Sequence, residues 1–250
     1  MSSVVTPAVG TGRTGSKPVW RPLHRVAATA ALATAIIIPV QVAVFLIWPP
    51  PLDGTSADWF DLISRRRFAG LVDLDILLVV DNVLLIPLLV AFGVLLWRTS
   101  PTWVVLAGVT GVTAAIMAVV VNPAIGMVVL NDQYADATTD AARAAALSAG
   151  DALLATWQGT AFHTGYLLGS LAGAALGVVM LHGGPFGKLT GWMGILGNGV
   201  GLGLYLPGIG VYVAVFSVLF LEIWYILVAR TLVLVDARPV SGGPVSSRPG

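Results

Sequence analysis

Cysteine is absent from the 250-residue sequence. The chain can therefore form no disulfide, use no thiolate in catalysis and build no cysteine-based zinc or iron–sulfur site. Charged residues are also scarce, at 10% of the chain with a formal net charge of +1. About a quarter of an ordinary soluble domain is charged, and a protein that binds nucleic acid presents a basic face. We therefore exclude a soluble globular domain and expect no nucleic acid partner.

Apolar residues make up 57% of the chain. A soluble fold of this length could not cover so much apolar surface with polar groups, so the expected partner is a lipid bilayer. Arginine outnumbers lysine 11 to 2 within a composition rich in Ala, Gly and Val. That balance is typical of a GC-rich bacterial genome and predicts a bacterial plasma membrane protein.

Six stretches are long and apolar enough to cross a bilayer, which takes about 20 residues at a rise of 1.5 Å per residue. They are residues 26–48, 71–96, 103–121, 159–181, 189–206 and 211–229. The Pro-Gly loop at 207–210 separates the last two, because Pro and Gly break helices and favour turns. We predict an all-α, polytopic six-span helix bundle over residues 26–231, flanked by tails at 1–25 and 232–250.

Positive charges predict the orientation of these spans, since cytoplasmic loops carry an excess of Lys and Arg. If the N-terminus is inside, nine positive residues fall on the inner side and four on the outer side. The inner ones are Arg13, Lys17, Arg21, Arg25, Arg98, Lys188, Arg230, Arg238 and Arg248, and the outer ones are Arg65, Arg66, Arg67 and Arg143. We therefore place both termini in the cytoplasm, with residues 1–25 as a disordered tail rich in Ser, Thr, Gly and Pro.

The longer outer loops carry helical signals of their own. Asn122-Pro123 ends or kinks the third span, and the apolar segment 124–130 then packs at the outer interface or re-enters the membrane. The Ala-rich run 138–154 predicts a helix that leads into the fourth span.

Four glycines, Gly165, Gly169, Gly173 and Gly177, recur at every fourth position of the fourth span. Such small-xxx-small spacing lets helix backbones approach closely in lipid. The pattern predicts helix packing, either within the chain or in a homo-oligomer formed through the glycine-rich faces.

The second span is unusual because it carries Asp73, Asp75, Asp81 and Asn82. An aspartate at the centre of a membrane helix costs about 2.5–3.5 kcal/mol on insertion scales. Asp73 and Asp75 can rise toward the headgroups at the end of the span. Asp81 lies too deep for that and must face protein, water or a partner.

A metal site at these aspartates is disfavoured by helix geometry. Asp73 and Asp75 are two residues apart and would point about 200° away from each other on a helix. Asp75 and Asn82 share a face but lie about 10 Å apart along the axis, far beyond the reach of one ion. We predict no metal site and no cofactor.

His163, Asn198 and Glu222 complete the set of candidate intramembrane polar residues. His163 falls in the outer half of the bilayer, as Asp81 does, so the two could form a proton relay or a polar substrate site. Alternatively, His163 is a neutral histidine whose hydrogen bonds are satisfied in a helix interface. Asn198 and Glu222 lie near the midplane, where a hydrogen bond between them would account for both. Glu222 then either has a structural role or binds the proton of a carrier.

Three segments of the chain resemble a widespread family of bacterial multi-span membrane proteins that is known only as a domain of unknown function. They are RFAG at residues 67–70, FHTGYLLG at 162–169 and GKLTGWMG at 187–194. The resemblance covers about residues 26–231 and rests on the placement of small and aromatic residues. It implies a bacterial multi-pass membrane protein of this size, and no catalytic residue can be transferred from it.

The sequence contains no nucleophile elbow, HExxH motif or phosphate-binding loop, so no catalytic residue is assigned. Three functional hypotheses remain. The chain is a small carrier or proton-coupled permease that uses Asp81, His163 and Glu222, or an intramembrane enzyme that acts on a lipid at the outer face. The third hypothesis is a structural or regulatory membrane protein whose polar residues only fix helix pairing. The substrate is unknown under each of them.

Overall fold

The computed structural model describes residues 20–237, and its regular elements in that range are helices. They are α1 (Arg21–Ile47), α2 (Ser56–Arg65), α3 (Arg67–Asp73), α4 (Ile76–Leu96), α5 (Pro101–Val120), α6 (Ala124–Asp136), α7 (Asp140–Trp157), α8 (Thr160–His182), α9 (Lys188–Gly201) and α10 (Gly210–Ala237). A short 3-10 turn, Leu202–Tyr205, continues α9. The all-α prediction is confirmed for this part of the chain.

Helices occupy part of both predicted tails. Helix α1 already begins at Arg21, and α10 continues to Ala237. The rest of the two predicted tails, residues 1–19 and 238–250, lies outside the described residues.

Five helical segments are long and apolar enough to cross a membrane. They are Arg21–Ile47, Ile76–Leu96, Pro101–Asp136, Asp140–His182 and Gly210–Ala237. The described chain is therefore a helical protein with five candidate membrane-spanning segments. Helix α9, inside the predicted fifth span, has only 14 residues and is not among the five.

Six helices pack side by side in a closed ring. Following the ring, α1 contacts α4, α4 contacts α5, α5 contacts α8, α8 contacts α9, α9 contacts α10, and α10 returns to α1. Each ring helix presents one face to its neighbours and leaves large apolar residues exposed on the other, such as Ile36, Val109 and Leu219. In a bilayer those exposed faces would meet lipid, and the opposite faces would enclose the interior of the ring.

The two ends of the ring differ. At one end Arg25 of α1 forms an ion pair with Asp236 of α10 at 3.0 Å, and Thr99 lies against Gly183. We call this the tail end, because the chain enters and leaves the ring there. At the other end α2, α3, α6 and α7 form a small helical layer, which we call the cap.

The cap has a hydrophobic core of its own, in which Trp59, Phe60, Met127, Leu154 and Trp157 are buried. Trp59 and Trp157 meet edge to face with ring centroids 6.0 Å apart. The predicted helix over 138–154 is present as α7, and the segment 124–130 forms part of α6, packed within the cap.

The second predicted span, residues 71–96, is wrong as a single helix. Helix α3 ends at Asp73 and α4 begins at Ile76, with Asp75 between them in the left-handed conformation at φ 64°. On a continuous helix the two side chains would point about 200° apart, so at least one aspartate would face lipid, where it is costly. The break instead turns α3 into the cap and leaves α4 as the apolar membrane segment.

Two further breaks occur where the ring meets the cap. Asn122 separates α5 from α6: its amide donates to the Leu74 carbonyl at 2.8 Å, and its side-chain oxygen accepts from the Ala124 N–H at 3.1 Å. Gln158 and Gly159 separate α7 from α8. Asn122 thus links the α5–α6 break to the α3–α4 break. Its side chain pairs backbone groups that would be paired within the backbone of a continuous helix.

The glycine ladder of α8 packs against two neighbours within the chain. Gly165 and Gly169 lie against α5, where Ala114 is the shared contact, whereas Gly173 faces Asn198 and Gly177 faces the Gly191 carbonyl of α9. A step of four residues rotates by about 40° around a helix, so three steps turn the ladder by about 120°. One ladder can therefore serve two interfaces.

Replacing Gly177 with alanine is expected to destabilise the ring. The added methyl carbon would lie 2.8 Å from the Gly191 carbonyl oxygen and 2.9 Å from the Ile195 nitrogen, both of them backbone atoms. Overpacking of this kind costs about 1–3 kcal/mol, so the melting temperature in detergent should fall by roughly 2–10 °C.

Gly108→Ala is the matched control, because nothing lies within 4 Å of the added carbon in α5. Alanine is favoured over glycine in a helix, so this variant should melt at or above the wild-type temperature. Equal melting temperatures for the two variants would contradict close α8–α9 packing.

Candidate functional site

A cavity of about 260 Å³ lies inside the helix ring. Its lining comes from α4, α5, α8, α9 and α10, with Trp157 of α7 at the cap end. The polar residues that line it are Asp75, Asp81, Asn82, Asn122, Tyr166, Ser170, Asn198 and Ser217. Within the described chain no Lys, Arg or His lines this central cavity, so its fixed charges are acidic.

Asp75 lies at the cap end of the central cavity, at the break before α4. The Gln41 amide of α1 donates to its carboxylate at 2.8 Å, and the Trp157 indole lies within hydrogen-bonding reach. Both groups are neutral, and Asp75 takes part in none of the ion pairs among the described residues. The left-handed backbone aims its side chain into a site shared by α1, α4 and α7.

Asp81 lies deeper, on the second turn of α4. One carboxylate oxygen is buried without a hydrogen-bond partner, and the Thr34 hydroxyl of α1 lies within hydrogen-bonding reach of the side chain. Asn82 also lines the cavity, but its amide is engaged with the Leu78 carbonyl at 2.8 Å. Asp81 thus keeps spare hydrogen-bonding capacity inside the ring.

Glu222 of α10 lies close enough to Asp81 for the two carboxyl groups to interact electrostatically. One oxygen of Glu222 is buried and has no partner. The expected hydrogen bond between Asn198 and Glu222 does not form, because the Asn198 amide donates to the Gly194 carbonyl at 2.8 Å one turn earlier in α9. Asn198 instead faces the cavity and Gly173.

His163 does not meet Asp81. It is exposed on α8 and its imidazole contacts the Tyr205 hydroxyl at 3.3 Å, outside the lining of the cavity. The hypothesis of a His163–Asp81 proton relay is therefore wrong in this structure. Tyr166, one turn further along α8 and about 60° around the helix from His163, lines the cavity instead.

Asp73 lies outside the cavity, at the end of α3. Its side chain is 6% exposed and neither carboxylate oxygen has a hydrogen-bond partner. Burial, assisted by the nearby charge of Asp75, raises the pKa of Asp73 to about 7. The helix break thus separates the two aspartates, with only Asp75 reaching the cavity.

The described residues contain no group of three or more His, Cys, Asp or Glu side chains that could hold a metal ion. Asp75 directly precedes α4 and Asp81 lies on its second turn, so the two acidic residues of the cavity do not converge on one point. Hydrogen-bonding and electrostatic recognition of a solute are what this lining can provide.

The cavity is closed toward the tail end by packed side chains. Phe92 lies 5.7 Å from Phe186 and 5.7 Å from Trp224, measured between ring centroids, and all three are buried in the main core of the ring. We call these three residues the aromatic plug. It leaves the polar interior confined to the half of the ring nearer the cap.

Several residues of the site escaped the sequence analysis. Gln41, Trp157 and Tyr166 all contribute to the cavity or to Asp75, and Thr34 approaches Asp81. Gln41 carried a usable signal, since it is the only amide in the first apolar stretch. Trp157 carried none, because an aromatic residue at a helix end is normal in a membrane protein.

Comparison with protein-family models, with curated proteins and with solved structures finds no match to this chain. The resemblance to a bacterial family of unknown function therefore stays a prediction. The chemistry of the site has to be argued from its own residues.

Replacing Asp73 with asparagine should raise stability at pH 8 much more than at pH 5. The unfolded carboxyl ionises near pH 4, whereas the folded one resists ionisation up to about pH 7. The contribution of the Asp73 carboxyl to stability is therefore fully present below pH 4 and is lost as the pH rises through 7. The shift of about 3 units sets an upper limit of about 4 kcal/mol on the gain, measured as melting temperature in detergent.

Asp61→Asn is the control, because Asp61 is exposed and pairs with Arg65 at 2.8 Å on the cap surface. Its effect should differ little between the two pH values. If Asp73→Asn changed the melting temperature equally at pH 5 and pH 8, the buried carboxyl would not titrate as described.

Proposed function

We propose that this protein is a small membrane carrier, a proton-coupled permease that moves a polar solute through the helix ring. The observation that supports it is the central cavity, which lies among membrane helices yet carries two aspartates and several amide and hydroxyl groups. Polar groups inside a membrane are expensive and mark solute or ion pathways. A ring closed around such groups is the arrangement that a carrier requires.

The proposal includes six spans. Helix α9 and the 3-10 turn after it contain 14 and 4 residues. At rises of 1.5 and 2.0 Å per residue they extend roughly 29 Å together, close to the thickness of a hydrocarbon core. Their place in the ring between α8 and α10 supports the same conclusion. We assign the chain to a bacterial plasma membrane.

Both termini are placed in the cytoplasm under this proposal. The basic residues of the tail end and of the two terminal segments together outnumber those of the cap nine to four, and the excess of positive charge marks the cytoplasmic side. The cap then faces outward at the polar end of the cavity, while the aromatic plug closes the cytoplasmic side. Solute release would require Phe92, Phe186 and Trp224 to separate.

Asp81 and Glu222 are the proposed proton-binding pair. Each has an unpaired buried oxygen, and the two interact across the α4–α10 side of the interior. Two carboxyl groups held near each other share a proton more readily than both ionise. Protonation from the cap side and release toward the cytoplasm would supply the energy for transport.

The other two hypotheses receive less support. A lipid-modifying enzyme would need an acid and a base at one point, and His163 lies apart from Asp81. A purely structural role would leave polar residues satisfied by one another, since buried polar groups are normally hydrogen-bonded. Asp81 and Glu222 keep unpaired oxygens instead.

The orientation can be tested with single cysteines, because the native chain has none. Ala141→Cys lies on the exposed face of α7 in the cap, and Gly187→Cys lies before α9 with no atom within 4 Å of the added carbon. A membrane-impermeant maleimide should label Ala141→Cys in intact cells and Gly187→Cys only after permeabilisation. The reverse pattern would invert the proposed topology.

Transport can be tested in proteoliposomes that contain a pH-sensitive dye. A panel of organic cations, organic anions and neutral polar solutes is added outside under a proton gradient. At least one class should move protons faster than protein-free liposomes, and Asp81→Asn should lower that rate at least tenfold because the proton site is lost.

Asp132→Asn is the matched control, since Asp132 pairs with Arg67 on the cap surface at 2.8 Å and lies away from the cavity. It should transport at the wild-type rate. No solute-dependent proton movement for any class, or equal rates in Asp81→Asn and wild type, would overturn the carrier proposal.

A further inference from the structure

We infer that the solute is a small organic ammonium ion, bound at the cap end of the central cavity between the Asp75 carboxylate and the aromatic faces of Trp157, Phe162 and Tyr166. This inference rests on the proposed carrier function and names the chemistry of its solute. Four observations lead to it: the charge of the cavity, the hydrogen bonding of Asp75, the aromatic lining and the volume.

The charge of the cavity favours a cation. Asp75 and Asp81 are its ionisable acids, and the described residues that line it include no basic group to balance them. Anionic solutes would meet two carboxylates in a low-dielectric interior, where repulsion is stronger than in water. A positively charged solute supplies the missing counter-charge.

Asp75 has room for such a solute. An ionised carboxylate offers about four acceptor positions. Gln41 uses one of them, the Trp157 indole lies within reach of another, and neither residue brings a positive charge. Contacts with these two residues hold the side chain in place, which lowers the entropic penalty for binding a cation there. The left-handed backbone at Asp75 is strained, and such strain is concentrated at functional sites.

The aromatic lining supplies the second half of the site. Trp157, Phe162 and Tyr166 all border the same cavity as Asp75, and Trp157 lies within hydrogen-bonding reach of Asp75. Phe162 and Tyr166 stack with their centroids 6.1 Å apart, and the Tyr166 hydroxyl donates to the Gly201 carbonyl at 2.7 Å. Trp157 is fixed by its edge-to-face contact with Trp59. Rigid aromatic faces beside a carboxylate are the arrangement that attracts organic ammonium ions.

The volume limits the size of the solute. The cavity of about 260 Å³ is smaller than the pockets of about 300–1,000 Å³ that hold drug-sized ligands. It has room for an ammonium ion with a few carbon atoms, together with some water. Bulky hydrophobic cations would not fit without opening the ring.

The test is a direct binding measurement on the full chain purified in detergent. Ethylammonium and tetramethylammonium are titrated by isothermal calorimetry, with ethanol and tert-butanol as neutral analogues and acetate as an anion. We expect saturable binding of at least one ammonium ion and none of the neutral or anionic probes. Asp75→Asn should weaken that binding at least tenfold, and Trp157→Leu should weaken it at least fivefold.

Matched variants separate a local effect from a loss of fold. Trp192→Leu removes an exposed tryptophan at the tail end of α9, and Asp61→Asn removes an exposed aspartate of the cap. Both should bind the ammonium ion as the wild type does. Trp157→Phe, which keeps an aromatic face, should recover most of the affinity that Trp157→Leu loses, and melting temperatures identify any variant that has failed to fold.

The outcomes distinguish this inference from the carrier proposal. Ammonium binding without transport of that ion would support the site and overturn the carrier. Proton-coupled transport of an anion or a neutral solute, with no ammonium binding, would support the carrier and overturn the site. Equal affinity in wild type, Asp75→Asn and Trp157→Leu would also overturn the site, because the named residues would then not form it.

Discussion

The packing of the first membrane helix against the last is the contact on which the interior of this protein depends. Helices α1 and α10 pack against each other, and buried alanines of α1, including Ala27, Ala28 and Ala31, belong to the same hydrophobic core as Val228 of α10. Small side chains let the two backbones approach, and Asp236 holds Arg25 at the end of the interface. If this seam opened, Asp81 and Glu222 would face hydrocarbon instead of each other. The sequence-distant ends of the chain therefore determine whether the polar residues of α4 and α10 can be kept in a membrane at all.

The secondary structure of the spans could be predicted because a bilayer imposes a simple requirement on the sequence. Every backbone polar group must be paired within its own segment, so long apolar runs become helices. In agreement with that argument, the five long apolar segments of the described chain are helical. The argument fails at Asp75, because the left-handed conformation there depends on Gln41 and Trp157, which lie 34 residues before it and 82 residues after it. No local pattern carries that information.

The candidate site was predicted in part, and the failures have a common cause. Asp75, Asp81, Asn82 and Asn198 do line one cavity, since a polar residue in an apolar span has to face inward. His163 does not, because polarity alone does not distinguish an inward residue from one at the rim of the ring. Glu222 approaches Asp81 rather than Asn198, which is occupied by its own helix. Partner choice depends on the order of helices around the ring, and that order becomes visible only in three dimensions.

The separate hydrophobic core of the cap has a consequence for motion. Trp59, Phe60 and Met127 pack among themselves and do not belong to the core that holds the ring together. Proteins tend to open in cooperative units that follow such divisions, and a smaller core opens at a lower free energy. The cap can therefore loosen as one body while the ring stays assembled, which in hydrogen exchange would appear as two protection classes, a weaker one in α2, α6 and α7 and a stronger one in α8 and α10. Since Trp157 belongs to the cap core and also lines the cavity, each such opening would expose the polar interior for a short time without dismantling the membrane helices.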